Sequence, residues 1–304
     1  MLKQHYKSGL SLGSVMAGGV LGEIIPPSII MIIFAYISRI SIGKLFFGGI
    51  VPGLLTAFLY ILYISVKCRI HPDTAPVHRE PVTWKMRMHG LKDIVPPALL
   101  IFLVLGSIFL GMATPTEAAA IGACGAFVIC IVYGKLTLSV LRNTCEQTLA
   151  ISGMALWILV GATLFSVFYT SAGAQSMVTD FIGDLAVNRW IILLGMQFIL
   201  LLFGMFMDDY AIVTICAPIF VPIAKTLGFD LTWFAVIFIL NMQVAYLTPP
   251  FGWALILLKG VAPPSVTTSD LWRSVPPFVL IQLFVLILTM LIPQLATWLP
   301  GKMF

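Results

Sequence analysis

The sequence predicts an all-α protein that crosses a lipid bilayer several times, and three observations support this prediction. The mean hydropathy is +1.06, and 60% of the residues are hydrophobic. Only 10% of the 304 residues are charged, whereas soluble domains carry about 25% charged residues. Long apolar segments, about eight to ten of them, follow one another along the chain and approach the length that a spanning helix needs. A water-soluble surface could not be built from this composition.

The apolar segments fall into two groups. A spanning helix needs about 20 apolar residues, and the expected spanning segments are 42–66, 94–112, 118–133, 149–170, 190–207, 231–247 and 277–299. The segments that are too short, or that glycine or proline interrupts, are 10–25, 26–37, 211–224 and 250–258. Unpaired backbone is costly in hydrocarbon, so interrupted helices persist only where protein or a wet cavity covers them. We therefore expect the interrupted segments to surround a hydrated cavity.

Two of the interruptions resemble each other. Residues 22–28 read Gly-Glu-Ile-Ile-Pro-Pro-Ser, and residues 245–252 read Ala-Tyr-Leu-Thr-Pro-Pro-Phe-Gly. Proline lacks a backbone donor and clashes with the preceding turn, so each proline pair should end a helix inside apolar sequence. Interrupted segments in corresponding halves are typical of the binding sites of secondary transporters. The other proline pairs lie at segment ends and are expected only to punctuate the chain: Pro96–Pro97, Pro263–Pro264 and Pro276–Pro277.

One long polar stretch divides the chain. Residues 67–93 contain six Lys or Arg residues and three acidic residues, and by the positive-inside rule this stretch should face the cytoplasm. We interpret it as a connecting arm between residues 1–66 and residues 94–304.

The composition argues against several classes of protein. The net charge of +5 comes from basic residues at the ends of apolar runs, not from a basic stripe, so no nucleic-acid partner is expected. The five cysteines have no metal-site spacing, the four histidines lie in polar loops, and no Walker motif is present. We therefore expect no enzyme activity, no ATP hydrolysis by this chain and no organic cofactor.

The sequence from Thr114 to Glu117 predicts the start of a helix. Thr114 is the expected N-cap, Pro115 the first helical residue, and Glu117 the partner that completes a capping box. Glu117 could serve only as a cap. Alternatively, this helix end could direct its positive dipole and the hydroxyls of Thr114 and Thr116 into a binding site.

Other candidate residues lie near the interruptions. The pair Asp208 and Asp209 ends a spanning segment, either as an interfacial stop or as part of a cation site. Sodium prefers backbone carbonyl, hydroxyl and amide oxygens, which unwound helix ends present. The candidates by residue type are Ser28, Asn241, Gln243 and Thr248. Gly18, Gly19, Gly22 and Gly252 would allow backbone to approach an ion, although tight helix packing explains a glycine equally well.

Six motifs occur in an order that is similar to one known family. They lie at residues 21–28, 41–53, 114–120, 204–208, 217–223 and 247–252. Each motif is weak alone, but their joint order resembles the large membrane (permease) subunit of tripartite ATP-independent periplasmic (TRAP) transporters, from about residue 5 to the C-terminus.

The resemblance implies a sodium-coupled importer of an organic acid in the inner, cytoplasmic membrane of a bacterium or archaeon. A periplasmic binding protein would deliver the acid, and a small membrane subunit, not fused to this chain, would be a second partner. The implied fold is an inverted-repeat, elevator-type transporter with re-entrant hairpins and broken helices. The first hairpin would include Gly18, Gly19 and Gly22, with Pro26, Pro27 and Ser28 at its exit; the second break would include Thr248, Pro249, Pro250 and Gly252.

The resemblance also implies a division of roles along the chain. Residues 1–66 would hold the first hairpin and broken helix of the transport domain with the next spanning helix, and residues 94–304 the second repeat with scaffold helices. Members of the family usually have several more apolar segments before the first hairpin motif, so the first repeat is expected to be incomplete. One alternative is a truncated, non-transporting fragment or assembly partner. A more remote alternative is an intramembrane enzyme that pairs Glu117 with Asp208 or Asp209.

Overall fold

The computed structural model describes residues 1, 6–75, 84–174, 176–178, 180, 187–250 and 252–303. Helices joined by short connections make up the described residues, which confirms the predicted all-α class. The chain forms two compact units, one of Met1–Val77 with Ile158–Phe304 and one of His78–Trp157. The predicted boundaries at residues 66–67 and 93–94 remain a prediction, and residues 76–83 of the proposed arm lie outside the described residues.

The N-terminal part of the first unit is a helix, a break and two more helices. Helix α1 (Ser8–Val20) passes into a 3-10 turn at Leu21–Glu23, and helices α2 (Ile29–Ser38) and α3 (Ile42–Ile70) follow. The Pro26–Pro27 pair, whose peptide bond is cis, separates α1 from α2. Ser28 begins α2 as its N-cap, because its side chain accepts a hydrogen bond from the Met31 amide. The predicted interruption of the apolar sequence is thus confirmed.

The C-terminal part of the first unit surrounds one buried helix. Its helices are α7 (Arg189–Gly204), α8 (Asp209–Thr226), α9 (Leu231–Leu247), α10 (Trp253–Val261), α11 (Thr268–Ser274), α12 (Pro276–Leu291) and α13 (Gln294–Thr297). Helix α9 is apolar all round and nearly all of its residues are buried, as expected for a central helix. It packs against α3, α7 and α12. Helices α8, α10 and α13 also contact α9, which is therefore the centre of this part of the unit.

The second unit is built around a helical pair. Helices α4 (Trp84–Phe109) and α5 (Pro115–Val132) pack closely where Gly122 and Gly125 of α5 meet Val104 and Leu100 of α4. Helix α6 (Leu138–Ser171) begins in this unit and ends in the first. Many large apolar side chains of these helices are exposed, an arrangement that lipid accepts and water disfavours.

Several described helices can cross a membrane. Helices α3, α5, α6 and α8 are long and apolar enough, and α11 with α12, bent by 40°, forms one further candidate span. This confirms a multi-pass membrane protein. The predicted spans 94–112, 190–207 and 231–247 correspond to shorter apolar helices. The 17 residues of α9 extend about 25 Å, less than the hydrocarbon thickness of about 30 Å.

Three sequence predictions about proline and helix ends were wrong. The segment 211–224 is not interrupted, because Pro218 and Pro222 lie inside the continuous helix α8. Each proline removes only its own backbone donor, and a helix packed among neighbouring helices can continue past that loss. Pro96–Pro97 likewise lies inside α4 rather than at a segment end, for the same reason. The last predicted span stops at Leu291, because Pro293 disfavours a helical conformation for the residue before it.

Candidate functional site

A cavity of about 450 Å³, which we call the break cavity, is lined by residues that precede the two proline pairs in sequence, Glu23 and Tyr246, and by helices α1 and α10. This volume lies in the range of small-molecule sites, about 300–1,000 Å³. Helix α1 and its 3-10 turn contribute one wall, and the ends of α9 and α10 contribute the other: Val15, Met16, Gly19, Val20, Glu23, Tyr246, Ala254, Leu257, Leu258 and Val261. The described residues that line it are mostly apolar and include neither proline pair nor Gly252, so a hydrated cavity enclosed by the breaks stays a prediction.

The first break is held against helix α3. The amides of Ile24 and Ile25 both donate to the Leu21 carbonyl, which ends α1 in a tight turn. Ile24 also contacts Gly49 of α3 so closely that a Cβ at position 49 would lie 2.5 Å from its carbonyl oxygen. Only a residue without a side chain permits this approach. The turn places Glu23 at the cavity, and its Oε2 is buried without a hydrogen-bond partner among the described residues.

The second break ends the central helix. The Thr248 hydroxyl donates to the Val244 carbonyl at 2.6 Å, so it closes the last turn of α9. The cis Pro249–Pro250 pair follows, and Gly252 then takes a left-handed conformation with φ of +47° before α10 begins. Such a φ favours glycine, which explains this residue at the break. Phe251 of the predicted motif lies outside the described residues.

Two amide side chains of α9 connect it to other helices. The Gln243 side-chain nitrogen donates to the Val20 carbonyl at 2.7 Å and so ties the second break to the end of α1. The Asn241 side-chain nitrogen donates to the Gln197 carbonyl and side-chain oxygen at 2.7 and 2.6 Å. The side-chain oxygens of Asn241 and Gln243 are buried and have no partner within the described residues. Buried amide oxygens normally have a partner, so both are candidates to meet an ion or water.

An acidic group lies beside the first break. Asp208 is the N-cap of α8, where it accepts from the Ala211 amide at 3.1 Å. Asp209 is 7% exposed, and its Oδ1 has no hydrogen-bond partner in the described part of the chain. Glu23 and Asp209 are close enough to interact electrostatically. The sequence places both aspartates at the end of a spanning segment without separating their roles. The helix-cap pattern could have distinguished them, since an N-cap side chain is occupied by the backbone and its neighbour is not.

The predicted glycines of the first hairpin are open rather than packed. A Cβ at Gly18, Gly19 or Gly22 would have no atom within 4 Å. Gly19 lines the break cavity, and the other two are exposed beside it. Ser28 is buried and occupied as the N-cap of α2. Whether these residues bind ions stays a prediction.

The Thr114–Glu117 motif belongs to the second unit. The predicted capping box is confirmed: the Glu117 carboxylate accepts from the Thr114 amide and hydroxyl at 2.7 and 2.8 Å, and the Glu117 amide donates back to Thr114. Thr114, Thr116 and Glu117 are all exposed. The cap is the established role of Thr114 and Glu117 in the fold, and a role of these residues or of Thr116 in binding stays a prediction.

These features define a class of protein: a multi-pass, all-α membrane transporter whose helices are broken at a cavity. The family model "Tripartite ATP-independent periplasmic transporter, DctM component" matches residues 1–295. The chain therefore belongs to the family of TRAP large permease proteins, which confirms the resemblance seen in the six sequence motifs.

Named relatives support the same assignment. The chain is 34% identical to the C4-dicarboxylate TRAP transporter large permease protein DctM of Pseudomonas aeruginosa, over 99% of this chain and 70% of that protein. It is 32% identical to the sialic acid TRAP transporter permease protein SiaT of Haemophilus influenzae, over 97% of this chain and 47% of that protein. It is 30% identical to the 2,3-diketo-L-gulonate TRAP transporter large permease protein YiaN of Escherichia coli, over 97% of this chain and 68% of that protein. The names of these relatives give different solutes, so the family does not specify the solute of this chain.

Proposed function

We propose that this chain is the membrane subunit that imports an organic acid together with sodium. A periplasmic binding protein delivers the acid, and a small membrane subunit completes the transporter in the inner membrane. The chain itself catalyses no reaction. The observation that carries the proposal is a cavity between helices α1 and α10 that Glu23 lines, with a carboxylate oxygen that has no partner among the described residues. Broken helices with free oxygens are the usual setting for coupling ions in secondary transporters.

The charges at the break cavity explain why an ion and an acid would enter together. Glu23 is the acidic residue among the described residues that line it, and no Lys or Arg lies in that set. A carboxylate solute would be placed beside this acidic side chain in mostly apolar surroundings, which is unfavourable without a compensating cation. Bound sodium supplies the missing positive charge. Ion binding is then a condition for solute binding, which is the basis of coupled transport.

The hydrogen bond between Gln243 and Val20 supports an elevator-type movement. It joins the last residue of α1, which precedes the first break, to α9, which precedes the second, at 2.7 Å and in a buried position. A site whose two halves are joined in this way moves as one body, with its bound ion and solute. The names of relatives include C4-dicarboxylate, sialic acid and 2,3-diketo-L-gulonate, which makes an organic acid the solute class proposed here.

The test is uptake into proteoliposomes that contain the full-length transporter with its small subunit and loaded binding protein. Labelled organic acids are offered under a sodium gradient and under a matched potassium gradient. We expect uptake only with sodium. The same uptake with either gradient would overturn the coupling proposal, and uptake without binding protein would overturn the delivery step.

A matched pair of variants tests the site. Glu23→Gln removes the charge at the break cavity and should lower sodium-dependent uptake at least tenfold. Glu146→Gln makes the same chemical change at an exposed ion pair with Arg142 and should leave uptake unchanged. Equal uptake by both variants would show that the break cavity is not the coupling site.

A further inference from the structure

A second cavity lies away from the breaks, at the end of helix α3. This groove, which we call the α3 groove, has a volume of about 530 Å³ and lies where α3 meets Ile281 of α12. Its apolar residues on α3 are Leu59, Leu62, Val66 and Ile70. With Tyr63 and Lys67 they follow the i, i+3, i+4 spacing of a single helix face. The groove is therefore a continuous apolar strip along one side of α3.

The polar groups of the α3 groove lie at one end. Lys67 and His71 line it there, in the last turn and at the C-cap of α3. The Lys67 ammonium donates to the Tyr63 hydroxyl at 2.7 Å and lies 5.2 Å from the centre of the Tyr63 ring. No carboxylate in the described part of the chain pairs with Lys67 or His71. A cation thus stands at the mouth of an apolar groove without a counter-ion among the described residues.

The floor of this groove is rigid. Tyr63 and Tyr60 both pack edge-on against Phe278 of α12, with ring centroids 5.4 and 5.3 Å apart, and Phe278 is fully buried. Edge-to-face aromatic pairs of this kind stabilise their arrangement. The Tyr63 hydroxyl, and with it Lys67, is therefore held in place before any ligand arrives.

The dimensions of the groove match one leaflet of a bilayer. The rise of an α-helix, about 1.5 Å per residue, gives about 17 Å between positions 59 and 70. Half of a hydrocarbon core of about 30 Å is about 15 Å. The cationic end adjoins the basic stretch 67–93, which the positive-inside rule assigns to the cytoplasm, where the leaflet carries anionic lipids.

We propose that the α3 groove binds an anionic phospholipid, with an acyl chain along Leu62, Val66 and Ile70 and the phosphate at Lys67 and His71. Charge selects the headgroup and the apolar strip holds the chain. This site is separate from the break cavity and does not depend on the solute or on sodium.

The experiment is native mass spectrometry of the full-length protein in detergent, with phosphatidylglycerol and phosphatidylcholine of identical acyl chains. A cation near a membrane surface contributes about fivefold to the binding of an anionic lipid. We expect the wild type to retain phosphatidylglycerol about fivefold better than phosphatidylcholine, and Lys67→Gln to remove this preference. Lys225→Gln, which removes the cation from the last turn of α8, is the matched control and should keep it.

A further variant tests the groove itself. Val66→Trp fills the apolar strip at a partly exposed position and should reduce retention of both lipids. The proposal is overturned if Lys67→Gln keeps the preference, if Lys225→Gln loses it equally, or if Val66→Trp retains both lipids as well as the wild type does. The last result would leave the groove to another occupant, such as a helix of a partner subunit. Lys67→Arg, which keeps the charge, should behave as the wild type and identifies any loss caused by misfolding.

Discussion

Gly49→Ala tests how tightly helix α3 holds the first break. A Cβ at position 49 would meet the end of the Met31 side chain and would lie 2.5 Å from the carbonyl oxygen of Ile24. The methionine can move aside because it is flexible. The Ile24 carbonyl belongs to the backbone of the break, so the break itself would have to retreat from α3.

The expected cost follows from two opposing effects. Overpacking a close contact costs about 1–3 kcal/mol, while replacing glycine by alanine inside a helix gains up to about 1 kcal/mol. Gly195→Ala isolates the first effect, because Gly195 lies inside α7 and a Cβ there has no atom within 4 Å. The helix-propensity gain is common to both variants, so Gly49→Ala should be about 1–3 kcal/mol less stable than Gly195→Ala.

The assay is thermal unfolding of the purified full-length protein in one detergent. The midpoint of Gly49→Ala should be roughly 2–10 °C below that of Gly195→Ala, and sodium-dependent uptake should fall with the displaced break. If Gly49→Ala melts at the same temperature as Gly195→Ala or above it, the close approach between α3 and the break does not constrain the site.

Three other substitutions have distinct expected outcomes. Gln243→Met removes one hydrogen bond but also a buried oxygen that has no partner among the described residues. The melting midpoint should therefore change little, while uptake into proteoliposomes should fall at least tenfold. Unchanged uptake would exclude a role of Gln243 in the site. Asn241→Leu leaves two acceptors of Gln197 without their donor. We expect thermal unfolding to show a loss of stability of about 1–3 kcal/mol. A variant as stable as the wild type would contradict this expectation. Thr114→Ala should lower the stability of the start of α5 by about 0.5–2 kcal/mol, which would appear as faster hydrogen exchange of its backbone amides. Thr116→Ala, at an exposed position outside the cap, should leave this exchange unchanged. Equal exchange in both variants would mean that the capping box does not stabilise the helix.

Local sequence patterns predicted the features that depend on neighbouring residues. Both proline breaks follow from the missing donor and the steric clash of proline, and the structure has helix ends at both. The capping box of Thr114 and Glu117 follows from residue spacing and is present. The resemblance to the TRAP family likewise rests on short motifs in order, and it is confirmed.

Features that depend on distant residues could not be predicted in this way. Prolines 218 and 222 are compatible with a helix because α8 packs against α2 and α9, which no local pattern reveals. The burial of Asp209 and the contact of Asn241 with Gln197, 44 residues away, arise from helix packing. The periodicity of apolar residues also does not indicate which face of α9 points to the site, since apolar residues lie on every side of this helix. Which oxygens face the cavity is thus decided by the tertiary structure alone.

The bond from Gln243 to Val20 has a consequence for biosynthesis. These residues are 223 positions apart, and a ribosome that adds about 5–20 residues per second needs roughly 11–45 s to cover that distance. During this interval the first hairpin has entered the membrane without the helix that later completes its end. The insertion machinery, or the lipid–water boundary, must accommodate Glu23 and the nearby proline turn until α9 emerges. Assembly of this site is therefore a late event in the synthesis of the chain.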